Sequence, residues 1–352
     1  MSSIKEPNYP ALVFHHSGKS IPHYAKTTLK KIGGRWPGRI ILLNNIPGAV
    51  SFAGVEDEKY TDWYDPGDFG VYAKKSEMER EFREGFWFHA IERFFILSQW
   101  QLQENISNFL HVELDVLVFG SYEALRCLDD YAVGLFLPRA SITQAGANWM
   151  YVNNPAALRQ LVLYFTERAG TGFEMPLLAQ FIDARPDLAH AVPTHASFEQ
   201  PDASGALFAT VPREVFGAIV DVHPLGTWIF GQDPRNSPKE PVFNHYYFEE
   251  LGSPILRSLR FRFSWREKQL YVGLQDREDF PVLALHVHSK VMKRVHSKVF
   301  LWVYVWLANR KFRTIIISQR LISFIYSKLR AKTDRIYLIL GLTNLSRAVR
   351  KT

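Results

Sequence analysis

What constrains this chain most is a pair of short apolar runs separated by a helix near its start. Residues 9–15 are apolar until they end in polar side chains, and residues 39–44 (Arg-Ile-Ile-Leu-Leu-Asn) repeat the pattern. Neither run alternates apolar with polar, so each suits a strand buried on both faces, as in parallel sheets covered by helices. Between them Ser20-Ile21-Pro22 opens a helix over 24–32, with proline in the first turn, where its missing N–H does no harm. Strand, helix, strand is the usual beginning of an α/β nucleotide-binding domain. The expected fold class is therefore α/β.

The pattern continues along the chain. Residues 57–70 read as an acidic, aromatic loop, and 77–103 as a helix with Phe82, Phe86, Phe94, Phe95 and Leu97 for burial. Residues 108–119 read as one strand, broken at Gly120-Ser121. A short helix over 122–128, a strand over 132–137 and an amphipathic helix over 155–168 follow, the last capped from Asn153-Asn154. Residues 186–244, rich in Pro, Gly and His, read as loops with short strands, and 281–288 as the last strand of the body.

Beyond Lys290 the charge changes abruptly. Residues 291–352 hold 14 lysines and arginines against one acid, Asp334, a net +13. The whole chain carries +7, so residues 1–290 carry −6. The sequence thus divides into a mildly acidic body, 1–295, and a basic, apolar-aromatic tail, 296–352. The only cysteine, Cys127, excludes an intrachain disulfide framework and a cysteine-based zinc site, as expected in a reducing compartment. No signal peptide is expected, and the longest apolar run, 299–308, is too short to span about 30 Å of hydrocarbon. A cytoplasmic chain is expected, and the Asn105 and Asn344 sequons would then go unused.

Chemistry concentrates at two places. In His111-Val112-Glu113-Leu114-Asp115-Val116 the period of two puts His111, Glu113 and Asp115 on one strand face, opposite Val112, Leu114 and Val116. Polar groups within an apolar strand are costly to bury alone. A divalent cation such as Mg²⁺ or Mn²⁺ is one partner that hard oxygen donors suit; lysine or arginine is the other. In Leu285-His286-Val287-His288-Ser289-Lys290 the alternation pairs His286 with His288 and sets Lys290 beyond them. Imidazole can complete a Mn²⁺ shell and lysine can neutralise a phosphate; a polar strand end is the plainer reading, and zinc lacks its further soft ligands. Gly18-Lys19-Ser20 is no P-loop, because position 13 is valine, and Gly33, Gly34 and Gly38 miss the dinucleotide spacing. Asp129-Asp130 reads as a solvated pair, and Asp221 to Asn236 as a polar pocket loop.

With these residues in view, the chain resembles GT-A nucleotide-sugar glycosyltransferases of bacterial surface-polysaccharide type over roughly 9–295. The opening Ala11-Leu12-Val13-Phe14-His15-His16-Ser17-Gly18-Lys19-Ser20-Ile21-Pro22-His23-Tyr24 is similar to that family's first strand and loop. Glu92-Arg93-Phe94-Phe95-Ile96-Leu97 followed by His111-x-Glu113-x-Asp115 is similar to its helix and Asp-x-Asp-type strand, with Glu113 where aspartate is commoner. His286-Val287-His288-Ser289-Lys290 is similar to the late element of retaining members. The resemblance implies a Rossmann-like catalytic domain with a mixed, mostly parallel sheet. It implies Mn²⁺ or Mg²⁺ held by Asp115, by Glu113 directly or through water, and by His286 or His288. Lys290 would offset the departing diphosphate, and His15, His16, Ser17, Gly18 and Lys19 would face the nucleotide. Glu174, opening a helix, stands where an acceptor-side acid is found, although a carboxylate there also suits the helix dipole.

In the tail, Arg310, Lys311, Arg313 and Arg320 alternate with Phe312, Ile315, Leu321 and Phe324. Such faces suit an anionic membrane surface, where a lipid-linked acceptor would be found, or packing on the body or on a second subunit; nucleic acid fits poorly with so apolar a tail and an acidic body. The expectation is a peripheral enzyme at the inner face of the membrane. Two rivals remain: a metal-dependent phosphohydrolase or nucleotidyltransferase, and a non-catalytic membrane-associated assembly factor.

Overall fold

The computed structural model describes residues 9–33, 35–78, 85–119, 122–131, 134–170, 172–194, 209–230, 261–266, 269–274 and 278–287. The first half contains β1 (Ala11–His16), α1 (His23–Ile32), β2 (Ile40–Asn44), β3 (Glu56–Lys59), α2 (Gly67–Lys75), α3 (Phe86–Gln103), β4 (Phe109–Val112), β5 (Val116–Val118) and α4 (Arg126–Asp129). There follow β6 (Leu135–Ser141), β7 (Gln144–Ala145), β8 (Trp149–Val152), α5 (Pro155–Glu167), α6 (Glu174–Ala184), β9 (Ala189–Val192), α7 (Arg213–Phe216), β10 (Ile219–Val220), α8 (Pro224–Phe230), β11 (Phe261–Arg266), β12 (Gln269–Leu274) and β13 (Phe280–His286).

The main sheet has eight strands in the order β3-β2-β1-β4-β8-β6-β7, with β9 beside β6. Pairings β3–β2, β2–β1, β1–β4 and β6–β9 are parallel, whereas β8 runs antiparallel to β4 and β6, and β7 to β6. This is the mixed, mostly parallel α/β sheet that the sequence led one to expect. A second sheet joins β10, β13, β12 and β11, with β5 on β13.

The uniformly apolar strands serve two cores at once. Val13, Ile41 and Leu43 pack with Phe94, Phe95, Trp100 and Leu161 on one face. Leu12, Phe14, Ile40 and Leu42 pack with Ala25, Leu29 and Trp149 on the other. Each such side chain contributes about 1.5–3 kcal/mol when fully buried, which is why a two-faced strand tolerates no polar alternation.

Two expectations are corrected. Residues 57–70 are not merely a loop: they contain most of β3, a 3-10 turn at Tyr60–Asp62 and the start of α2. Polar contacts hold this edge strand, with Asn44 Nδ2 donating to Asp57 Oδ1 at 2.7 Å and Lys59 Nζ to Asn44 Oδ1 at 2.6 Å. Hydrophobic periodicity cannot reveal a strand of that kind. More important, 108–119 is two strands. After Val112 the chain turns, Val116 N–H donating to the Glu113 carbonyl at 3.1 Å, and β5 leaves the main sheet to pair antiparallel with β13.

The helix expected over 77–103 is shorter: it begins at Phe86 after Gly85, whose φ of 84° suits glycine; residues 77 and 78 are not helical, and residues 79–84 lie outside the described set. The strand expected over 132–137 is β6, running to Ser141, and the expected loops of 186–244 contain β9, α7, β10 and α8. Asp129 and Asp130 are exposed, as expected, and Asp129 also accepts a hydrogen bond from Tyr151 OH.

Candidate active site at the carboxyl ends of the strands

Around β1 the strand order reverses, β2 lying on one side and β4 on the other. Crevices beyond the carboxyl ends of parallel strands at such a reversal are where open α/β sheets bind ligands. Here that place is occupied by the loop after β1 and the turn after β4.

The turn carries Glu113 and Asp115. Glu113 N–H still donates to the Asn148 carbonyl at 3.0 Å, as if β4 continued, and Val287 N–H fixes the Asp115 carbonyl at 2.9 Å. The end of β13 thereby brings His286 to both carboxylates: its Nε2 lies 3.6 Å from Asp115 Oδ1 and 3.8 Å from Glu113 Oε2. Burial pulls the imidazole pKa down, but Asp115 and Glu113 outweigh it and raise it to about 9. Glu113, Asp115 and His286 each offer one ligand atom, and these atoms lie within 4.8 Å of one another. Two carboxylates and an imidazole at that spacing are a donor set that could hold a divalent cation.

His111 does not belong to this group. It is in the core, 1% exposed, with Nδ1 3.1 Å from the Val13 carbonyl. Burial, aided by Arg93, lowers its pKa to about 3. The expectation of one shared strand face fails because the turn at Glu113 ends the alternation. His288 and Lys290 lie outside the described residues.

Arg93, in the middle of α3, has a role that the sequence pattern alone does not reveal. It is buried, and its guanidinium donates to both Glu113 and Glu174. Glu174 stands in the first turn of α6, as a helix-opening carboxylate should, and is buried there at 7% exposure. Burial pushes its carboxyl up to about 7, against the pull of Arg93 and with the push of Glu113. A lone arginine within Glu92-Arg93-Phe94-Phe95-Ile96-Leu97 was the available signal, since a buried cation needs a buried anion.

The loop after β1 is held by polar contacts. Ser17 Oγ lies 2.8 Å from Tyr60 OH and 3.2 Å from His15 Nε2, and Gly18 N–H donates to Asn45 Oδ1 at 2.9 Å. His16 Nε2 lies 3.1 Å from the Ser20 carbonyl, and Lys19 is exposed. Burial, then His111 and Arg93, hold His15 well below the usual histidine range. Beside the loop, beyond the ends of β2 and β3, opens a groove of about 520 Å³ lined by residues including Asn45, Pro47, Lys59, Thr61 and Asp62. Sequence patterns gave no sign of it.

No family model matches the chain, and no curated protein matches it. Among solved structures it is similar to mouse xyloside xylosyltransferase 1, at 10% identity over 53% of this chain and 86% of that one, with a TM-score of 0.36. It is similar to the galactosyltransferase LgtC at 14% identity over 68% and 94%, with a TM-score of 0.37. It is also similar to the glycosyltransferase GlyE of Streptococcus pneumoniae TIGR4 at 14% identity, over 55% of this chain and 47% of that one, with a TM-score of 0.32. All three are glycosyltransferases by name, the class that the sequence resembles.

Proposed function

We propose that the chain is a GT-A-type glycosyltransferase that moves a sugar from a nucleotide diphosphate donor to a glycan or lipid-linked acceptor in cell-surface polysaccharide synthesis. The observation that carries this reading is the convergence of Glu113, Asp115 and His286 at the sheet's reversal point, beside the β1 loop and an open groove. A divalent cation bound there would supply charge to offset the departing diphosphate. Asp115 is the principal donor, and Glu113, which also accepts from Arg93, supports it. The groove and the loop from His15 to Lys19 would receive the nucleotide, with Lys290 as a further cation. Glu174, held by Arg93, would orient an acceptor hydroxyl or balance positive charge at the anomeric carbon. Retention at that carbon is implied by the resemblance of the element from His286 to Lys290.

A thermal-shift screen of nucleoside diphosphates and their sugars, with and without Mn²⁺, tests the reading. A selective, metal-dependent rise in Tm that Asp115→Ala abolishes is the expected outcome. Product analysis then separates glycosyl transfer from the plain phosphate release of a phosphohydrolase, and the anomeric configuration of the product tests retention. Metal-dependent nucleotide binding that survives both Asp115→Ala and His286→Ala would remove the enzyme reading.

A further inference from the structure

The donors Glu113 and Asp115 stand in the turn between the two sheets, whereas His286 ends a strand of the second sheet. A buried carboxylate that is not one of the donors ties the two parts together. Asp221, directly after β10, is 0% exposed. Its N–H donates to the Ala284 carbonyl at 2.9 Å, extending the β10–β13 pairing past the register shift between Ile219 and Val220. Its Oδ1 accepts from the Leu225 amide at 2.9 Å. Its Oδ2 accepts from the Gly226 amide at 2.8 Å and from the His286 amide at 3.2 Å. Capping the first turn of α8 would need only the first two bonds. The third joins that turn to the end of β13.

The connection continues to the other donors. Asn148, 5% exposed, donates from Nδ2 to the Asp221 carbonyl at 2.7 Å, while its own carbonyl accepts from Glu113 N–H at 3.0 Å. Hydrogen bonds therefore run from the backbone of Glu113 through Asn148 and Asp221 to the backbone of His286. Gly226 closes the clamp, because a Cβ there would stand 1.7 Å from the His286 carbonyl oxygen.

We infer that Asp221, with Asn148 and Gly226, is a positioning element that sets the His286 imidazole at the distance from Glu113 and Asp115 at which all three serve one divalent cation. The inference rests on the metal-dependent reading above. Residues that orient a ligand typically change metal affinity by about 10–100-fold when replaced. Asp221→Asn puts an N–H₂ where the carboxylate accepts amides, and Gly226→Ala pushes against the His286 carbonyl.

The test uses the full-length protein and Mn²⁺ alone, read by calorimetric titration and by electron-spin-echo detection of nitrogen bound to the ion. Wild type is expected to bind Mn²⁺ with an imidazole-nitrogen signal that His286→Ala lacks. Asp221→Asn and Gly226→Ala, when folded by circular dichroism, are expected to lose that signal and to bind about tenfold or more weakly. A folded variant of either kind that keeps the nitrogen signal and wild-type affinity overturns the inference and leaves the metal reading standing. Wild type that binds no Mn²⁺ overturns both. If neither variant folds, hydrogen exchange on the wild type decides: Mn²⁺ should protect 221–226 together with 283–287, and protection of 283–287 alone overturns the inference.

Discussion

At the scale of single residues, the site is governed by buried charge. Arg93 carries the positive charge between Glu113 and Glu174, so removing it strands two carboxylates. Arg93→Met should destabilise the fold by about 3–5 kcal/mol in denaturant titrations, and adding Glu174→Gln should recover part of the loss. A change under about 1 kcal/mol would show that the pair is not a structural unit. His111 makes a pH prediction. Its folded pKa is about 3 and its unfolded value about 6.5. Between these values the unfolded chain binds the extra proton, so stability falls as pH falls. The slope from this residue is about 1.4 kcal/mol per pH unit, fully expressed near pH 5. His111→Gln should flatten the stability–pH curve between pH 4 and 6 relative to wild type; an unchanged slope would show that His111 does not contribute. Glu113, Asp115 and His286 were all legible in the sequence because their spacing was conspicuous. Grouping His111 with them was the error of treating an alternation as an unbroken strand.

At the scale of elements, termini and edges decide more than interiors. Helix α5 starts from Asn154, whose Oδ1 accepts the Ala156 amide at 2.9 Å, with Pro155 in the first turn. Asn154→Ala should cost about 1 kcal/mol and Asn154→Ser much less, as measured by urea unfolding; equal losses would rule out the cap as the cause. This start was readable because capping chemistry is local. The division of 108–119 into β4 and β5 was not. Its apolar pattern suits a continuous strand, and only pairing with β13, more than 160 residues away in sequence, draws Val116–Val118 out of the main sheet. The edge strand β3 escaped notice for a related reason, since Asn44, Asp57 and Lys59 hold it through polar contacts.

At the scale of the whole molecule, the sequence divides into an acidic body and a basic tail. Among the described residues no helix is long and apolar enough to cross a membrane, and the tail, 296–352, lies outside them. The proposal that the tail meets an anionic surface predicts that the full-length chain floats with anionic vesicles, stays behind with neutral ones, and is released by raised salt. A chain ending at Lys290 should lose this binding. Equal flotation of the two chains would remove the tail's proposed role.

What the sequence determined alone is what depends on neighbours along the chain. Two-faced apolar runs called for an α/β sheet, proline and asparagine marked helix starts, and the alternation in 111–115 and 285–290 marked polar groups that needed partners. Tertiary structure alone decided which partners they met. The turn at Glu113, the antiparallel return of β13 and the Asp221 clamp join positions 113, 115 and 286, and send His111 into the core instead. Sequence periodicity specifies the face on which a side chain projects, but the distance between two strands' ends is set by pairing register. That register depends on hydrogen bonds between segments far apart in the chain.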